Sequence, residues 1–481
     1  MLSLPVVLEA LTGIRLEMVT SVITDGAIDS RQVKPGSIFV ALPGDHHDGH
    51  DFVGEAFQAG AGYALVRRDL SNQFPSLDLR SPLQPNELSG RLSQLNGPFC
   101  IRVNDPLKAL QQVAKFWRKK LDVKVIGITG SVGKSTTKEV VAEVLGQRYC
   151  TLKNKGNLNN EIGLPLTMLS LTEEHERAVL EMGFYVPGEI EYLCDLAAPC
   201  IGVVTNIGTV HASRAGSQDE IARGKSELVK SLPEDGFAIL NYDDPLVRKM
   251  ADLTRAQVFF YGMQSVVDLW ADNVESLGLE GIRFLLHYQQ QKNRPAEALQ
   301  LRVPLIGRHS VQTVLRAAAV GLVDGLSWQE IVSGLRSSSN ELRLIAVHTQ
   351  NGALILDDTY NASPESMLAA LNLLNDLDGR KVAVLGDMLE LGQYEQRGHE
   401  MVGIRAAEVA DELVTLGERG RIIAQAALES GLPAGKITAL DRVEQVIDYL
   451  RPELKPDDVV LVKGSNMMNM DRIVSALEYQ S

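Results

Sequence analysis

Six consecutive residues, Gly130-Ser131-Val132-Gly133-Lys134-Ser135, are of the types that hold a phosphate chain. The glycines let the backbone turn tightly so that its N–H groups converge. Lys134 adds a full positive charge, and Ser135 offers a hydroxyl to a Mg²⁺ bridging phosphate oxygens. The run is shorter than the general G-x-x-x-x-G-K-[ST] pattern, because Ile128 stands where the first glycine would be, with Gly127 flanking it. So short a string also fits an ordinary strand-to-helix turn. Its surroundings favour the phosphate reading: the β-like Val125, Ile126 and Ile128 precede it, and Val140, Val141, Val144 and Leu145 follow on one face of a helix. A strand, a glycine turn and a helix N-terminus, whose dipole favours anions, predict a nucleoside triphosphate site.

Other residues could act beside it. Glu181 follows the apolar Ala178-Val179-Leu180 and is either a Mg²⁺ ligand, direct or through water, or a strand-end acid facing solvent. His211, in TNIGTVHAS, follows a strand expected beside the phosphate-loop strand, and is a ligand or a loop histidine. Lys225 falls four residues after Ile221, on the apolar face that Leu228 and Val229 continue. Burial lowers a lysine's pKa, and a neutral amine can capture CO₂ as a carbamate, a carboxylate-like metal ligand; the alternative is a lysine that snorkels to water. Asp357 and Asp358 end a strand, with Asn361 and Ser363 just after. That turn suits ribose or phosphate contacts, or capping of a helix starting near Pro364. Arg343 and Lys463 are candidates for anionic groups.

The elements that must position these groups can be read from periodicity. At 481 residues the chain implies about three domains. Short apolar runs before residue 107 suggest a small α/β domain (1–106), with 71–90 an irregular loop. From 107 to 338, KVIGITG, RAVLEMG, IGVVTNIG and FAILNYDD alternate with helical segments, predicting a central ATP-binding domain with a mostly parallel sheet. Its 257–305 stretch reads as an antiparallel excursion. ALILDDTYN, KVAVLGD, ELVTLGE and VVLVKGS predict a Rossmann-like, doubly wound C-terminal domain (339–481). Glu181, Asn206, Asp358, Asp387 and Lys463 cluster at the C-terminal ends of predicted strands, where open α/β sheets bind ligands. A net charge of −14 argues against general nucleic-acid or membrane-surface binding. The four cysteines show no metal-type spacing and read as reduced, mostly buried thiols. The N-terminus lacks signal-peptide features and no apolar run approaches a membrane span, so a cytoplasmic protein is expected.

In order along the chain, DSRQVKPGSIFVALPGDHHDGHDFV, TGSVGKSTTKE, NKGNLNNEIGLPLTML, EMGFYVPGEI, NIGTVHAS, PLIGRHSVQTVLRAAAVG, DDTYNASPESMLAAL, AVLGDMLELG with His399, and LVKGS together resemble the Mur ligases, ATP-dependent amino-acid ligases of bacterial cell-wall precursor synthesis. The resemblance implies ATP and Mg²⁺, and, from NLNNEIGLPLT, DDTYNA and LGDMLELG, UDP-N-acetylmuramoyl-tripeptide and D-alanyl-D-alanine as substrates of a monomer. It further implies an ATP-binding loop made of Thr129, Gly130, Ser131, Val132, Gly133, Lys134, Ser135 and Thr136. Ser135 and Glu181 would hold one Mg²⁺, and His211 and a carbamylated Lys225 another. Arg343 and Asp358 would close over the nucleotide. Ser30 and Arg31 would meet the uridine nucleotide, and Asn159 or Asn160 the acceptor carboxylate, with Asn361 and Lys463 in the substrate site. The chain departs from the family at Ser310 and Thr313, where asparagines are usual near adenine, and at Ser363, Asn466 and Ser213. Hydroxyls in place of amides shorten reach and remove donors. Two other readings are a sister ligase adding a different amino acid, disfavoured for a folate acceptor by the DSR segment, and a nucleotide-binding regulator without ligation.

Overall fold

The computed structural model describes residues 1–17, 22–44, 47–209, 213, 216–290, 295–337 and 345–478. They form two compact units, one of residues 1–127, 149–183 and 188–200, the other of 128–148, 184–187 and 201–481.

In the first unit, β1 (Gly26–Ala27), β2 (Ile38–Val40), β3 (Tyr63–Val66), β4 (Ser76–Asp78) and β5 (Phe99–Arg102) make a wholly parallel sheet ordered β1-β2-β3-β5-β4. Its inner strands β2 and β3 are buried along their whole length, which is why they read as unbroken apolar runs rather than alternating ones. The 71–90 segment is not an irregular loop: it holds β4 and the start of the Pro85–Leu92 helix. β4 is an edge strand with only Leu77 buried, so it shows no apolar run. The helix has Pro85 in its first turn and buries Leu88 and Leu92, one turn apart. The same unit carries the first four residues of β6 (Lys124–Thr129), then β7 (Thr151–Lys153) and, parallel to it, β8 (Arg177–Glu181).

The second unit begins at Ile128, in the end of β6. Its first sheet runs β9 (Ile201–Val204), β10 (Phe237–Asn241), β11 (Gln257–Gly262), β12 (Leu269–Ser276), β13 (Ile282–Tyr288) and β14 (Glu297–Val303). β9 to β12 are parallel and only β12-β13-β14 antiparallel. The antiparallel excursion thus starts at 269, not 257. β11 pairs in parallel with β10 from Phe237↔Gln257 to Asn241↔Tyr261, because the intervening Pro245–Arg248 helix and the turn after it bring the chain back in the same direction.

The last sheet holds β15 (Ile345–His348), β16 (Leu354–Asp358), β17 (Arg380–Gly386), β18 (Glu412–Leu416), β19 (Ile437–Leu440) and β20 (Asp458–Lys463), ordered β15-β16-β20-β17-β18-β19 and parallel apart from β15. Successive strand residues serve opposite cores. Leu356, Leu385 and Leu461 pack with Leu371 and Ile423 on one face, and Ile355, Val384 and Val462 with Val446 and Ile473 on the other. Fully burying each such side chain is worth about 1.5–3 kcal/mol. This is the doubly wound arrangement expected. Of the cysteines, Cys100 and Cys194 are buried, but Cys200 is half-buried and Cys150 exposed, so "mostly buried" describes only two of the four. Among the described residues no helix is long and apolar enough to cross a membrane.

Candidate active site

β6 delivers the chain into the glycine turn, and the Lys134–Leu145 helix starts at once behind it. Val140, Val141, Val144 and Leu145 are all buried, so one face of this helix is fixed in the core while its N-terminus stays at the sheet edge. Gly130 has φ +143°, and a Cβ there would overlap the Thr205 hydroxyl, so only glycine fits. Gly133, at φ +82°, is the N-cap and offers no side-chain acceptor to the helix's first turn. Those N–H groups are the kind an anion satisfies.

The loop is tied to the segment after β9. Ser131 N–H donates to Asn206 O (2.9 Å) and Val132 N–H to Asn206 Oδ1 (2.9 Å). Asn206 Nδ2 (3.1 Å) and Thr205 Oγ1 (2.7 Å) both donate to Val132 O, and Gly208 N–H donates to Ser131 Oγ (2.8 Å). Thr129 is fully buried, and its carbonyl accepts from Thr205 N–H. Thr136, two residues beyond Lys134, is half-buried in the helix's first turn.

Cations gather on this loop. Lys134 Nζ donates to the carbonyls of Gly130 (2.9 Å) and Ser131 (3.1 Å). Lys225, 1% exposed on the Gln218–Lys230 helix, donates to the same Gly130 carbonyl (2.9 Å) and lies over the Phe184 ring. Its burial is as the helical spacing predicts, and it does not snorkel. The guanidinium of Arg316, on the Ser310–Val323 helix, also reaches Gly133. Burial pulls Arg316 below the usual arginine range and pushes the neighbouring Tyr261 phenol above its own.

Most of the remaining candidates have close partners of their own. Glu181, in the first unit, is 2% exposed and bracketed by two asparagines: its N–H donates to Asn154 Oδ1 (2.9 Å), and its Oε1 accepts from Asn159 Nδ2 (3.0 Å). It is therefore not a solvent-facing acid. Asn160 Oδ1 accepts from Gly163 N–H (2.9 Å) at the start of the Gly163–Leu169 helix, so it holds backbone. Ser30 donates to Glu55 (3.0 Å), and the exposed Arg31 pairs with Asp29 (2.7 Å). In the C-terminal sheet, Lys463 is 2% exposed and joins Asp358 Oδ2 (2.7 Å) and Asn361 O (2.8 Å), which brings those three candidates together. His211 and Arg343 lie outside the described residues.

Ser310 and Thr313, the residues standing where the family has asparagines, are both buried. Ser310 donates to Ile306 O (2.7 Å), and Thr313 accepts from Arg316 Nη2 (3.0 Å). Ser363 caps the Pro364–Asp376 helix, accepting from Ser366 N–H (3.2 Å), while Asn466 is exposed. His399 is locked neutral: Nε2 accepts from Met388 N–H (3.0 Å), so Nδ1 donates to Glu395 O (2.7 Å). Burial lowers its pKa accordingly. Asn154, Thr205 and Arg316 carry much of this geometry; they lie within NKGNLNNEIGLPLTML, TNIGTVHAS and PLIGRHSVQTVLRAAAVG, but nothing in those strings marks them for a role. Arg316 sits in the alanine-rich helix three residues after Thr313, and nothing in that string singles it out from its neighbours.

No metal-sized group of three His, Cys, Asp or Glu side chains is present among the described residues. The oxygen donors of Ser135 and Glu181 are nevertheless each of the kind that suits Mg²⁺, which takes one or two protein oxygens and completes its shell with phosphate and water. The Thr137 hydroxyl, buried in the first turn after the loop, has no hydrogen-bond partner among the described residues.

A glycine phosphate loop between strand β6 and a helix, followed in the chain by a doubly wound C-terminal sheet, defines an α/β nucleotide-binding protein. The chain belongs to the Mur ligase family. Residues 128–321 match the Mur ligase middle domain, 342–466 the Mur ligase glutamate ligase domain, and 23–79 the Mur ligase family catalytic domain. It is 35% identical to the UDP-N-acetylmuramoyl-tripeptide–D-alanyl-D-alanine ligase of Bacillus subtilis, over 95% of this chain and 93% of that one. Among solved structures it is similar to MurF from Acinetobacter baumannii, at 31% identity and a TM-score of 0.79, covering 96% of this chain and 94% of that one. It is also similar to the MurF ligase of Thermotoga maritima in complex with ADP, at 26% identity and a TM-score of 0.76, covering 95% and 97%.

Proposed function

We propose that this protein joins D-alanyl-D-alanine to UDP-N-acetylmuramoyl-tripeptide with hydrolysis of ATP to ADP and phosphate. The observation that carries the reading is the convergence of Lys134, Lys225 and Arg316 on the Gly130–Gly133 turn. Relatives of nearly the same length, named for that reaction, support it.

The chemistry follows from charge. The tripeptide's terminal carboxylate oxygen attacks the γ-phosphorus of ATP, and ADP departs with the electrons of the broken P–O bond. The free amine of D-alanyl-D-alanine then attacks the acyl-phosphate carbon, loses a proton, and phosphate leaves as the amide forms. Bringing one anion onto another needs charge neutralisation and in-line positioning more than covalent help. Lys134 and the first-turn N–H groups hold the phosphates. When bound, Mg²⁺ would supply further neutralisation, held by Ser135, Glu181, His211 and Lys225. Carbamylated, Lys225 would change from a second cation on the Gly130 carbonyl to an anionic ligand. Asn159 orients the Glu181 carboxylate. Arg343 and Asp358 act on the nucleotide, Ser30 and Arg31 on the uridine nucleotide, and Asn160, Asn361 and Lys463 on the substrates. The domains divide near 106 and 338, and the protein works as a cytoplasmic monomer that binds no nucleic acid and does not insert into a membrane.

The test is ADP release measured with each substrate alone and with both. Release only when the UDP-tripeptide and D-alanyl-D-alanine are both present is expected. Maximal turnover with a single amino acid in place of the dipeptide would reject this assignment for a sister ligase, and ATP binding with no release under any combination would reject ligation altogether.

A further inference from the structure

We infer that Arg316 is a positioning residue that sets the affinity of the phosphate loop for the nucleotide's phosphates. The inference rests on the nucleotide reading above but adds a residue whose sequence signal pointed to no such role.

Arg316 is 4% exposed. Its Nε donates to Gln312 O (2.9 Å) and its Nη2 to Thr313 Oγ1 (3.0 Å), which fixes the plane of the guanidinium. The buried Tyr261 phenol lies nearby and donates to Thr205 O (3.4 Å). The partners of Arg316 are a carbonyl and a hydroxyl, both neutral. Nη1 and Nη2 stand 3.4 and 3.5 Å from where a Gly133 Cβ would be, so the missing side chain is what lets the charge lie against the loop. An arginine remains charged even when buried. Yet among the described residues no carboxylate forms an ion pair with it. The nearby acid Asp243 spends its Oδ2 on Met263 N–H (2.9 Å) and Gln312 Nε2 (2.9 Å) instead.

A buried cation without a counter-charge is destabilising, and a ligand's negative charge would relieve it. The anion this loop is shaped to take is a chain of phosphates. Arg316 also occupies the hydroxyl of Thr313, one of the two positions where the family carries an asparagine, so Thr313 serves to orient the guanidinium. A purely structural role, tethering the Ser310–Val323 helix, would use the same neutral partners but would not need a permanent charge set against Gly133.

The experiment measures ATP, ADP and AMP binding by calorimetry for the wild type and for R316M, R316Q and R316K. R316M and R316Q are expected to weaken ATP and ADP about ten- to a hundredfold, the range for a charged hydrogen bond, and AMP far less. R316K, which keeps the charge, restores most of the ATP-to-AMP ratio. In turnover, KM for ATP rises with kcat little changed. Equal weakening of all three nucleotides, or none, overturns the inference. Should R316M fail to fold, R316Q, which can still bond Thr313, decides by the same ratio. Binding needs no acceptor substrate, so the two readings fail separately: wild-type turnover with a flat nucleotide series removes only Arg316, and a graded series without turnover removes only the proposed reaction.

Discussion

Two arginines of this protein are held in opposite ways. Arg380, at the start of β17, is clamped between Asp458 (2.9 Å) and Glu412, acids that are 2% and 8% exposed, and Tyr449 donates a further hydrogen bond to Glu412 (2.7 Å). Arg316, beside the phosphate loop, has hydroxyl and carbonyl partners and no acid paired with it among the described residues. The first network closes its charge inside the protein, at the N-terminal ends of strands. The second leaves its charge open beside the C-terminal end of β6, and α/β sheets receive ligands at such ends. Closed charge serves the fold, and open charge serves binding. The two regions should therefore fail differently when broken.

The largest effect is expected at the open end. Lys225→Ala removes a buried amine from the Gly130 carbonyl and should lower turnover about a thousandfold, the upper range for losing a charge-stabilising group. If the amine acts as a carbamate, added short-chain carboxylates will partly restore the rate. A loss without rescue leaves Lys225 as a cation on the loop, and wild-type activity removes it from the reaction. Gly130→Ala comes next, at about a hundredfold, because the new Cβ must displace Thr205 and the loop shifts by a fraction of an ångström. Its melting temperature should change less than its ATP affinity. A variant that binds ATP normally would show that the overlap is absorbed elsewhere.

At the closed end the order reverses. Arg380→Met leaves Glu412 and Asp458 with no cation between them, and should destabilise the C-terminal sheet by about 2–3 kcal/mol, the low side of a broken buried pair because Arg380 is about a quarter exposed. Denaturant unfolding would measure it. ATP affinity should stay at the wild-type value. A fall in affinity equal to that of R316M would erase the distinction between the two arginines.

The same contrast marks what a sequence can reveal. The phosphate loop is legible because its residues are adjacent and flanked by two clear periodicities, and Lys225 because helical spacing puts it among Ile221, Leu228 and Val229. The doubly wound C-terminal sheet is legible because its strands bury both faces. β4 and the Pro85–Leu92 helix are not, since an edge strand with one buried leucine and a short helix leave little pattern. The antiparallel segment is expected too early because β-branched runs are alike in parallel and antiparallel strands. Arg316 and Asn154 escape for a different reason: each works through a neighbour distant in sequence, Gly133 and Glu181, and no local pattern encodes such a pairing.

The smallest effect is expected where a charge pair belongs to neither class. Glu330, on the Trp328–Ser337 helix, pairs at the surface with Arg148 (2.6 Å), just beyond the phosphate-loop helix. The Arg148 guanidinium, with help from Ser327, holds the Glu330 carboxyl down at about 2, against an ordinary 4.5. A carboxylate depressed in the folded state adds stability above its unfolded pKa. That contribution is complete above about pH 4.5 and fades as the pH falls toward about 2. Glu330→Gln should therefore change stability little more than other surface substitutions near neutrality, and should slightly flatten the acid side of the melting-temperature profile between those limits. It should leave nucleotide binding untouched. An acid limb as steep as the wild type's would mean that the pair contributes nothing to the fold, as many surface ion pairs do. A shift in ATP affinity would instead mean that the far end of the phosphate-loop helix is coupled to its N-terminus, and that the open region reaches further than the gathering of cations around Gly130 and Gly133.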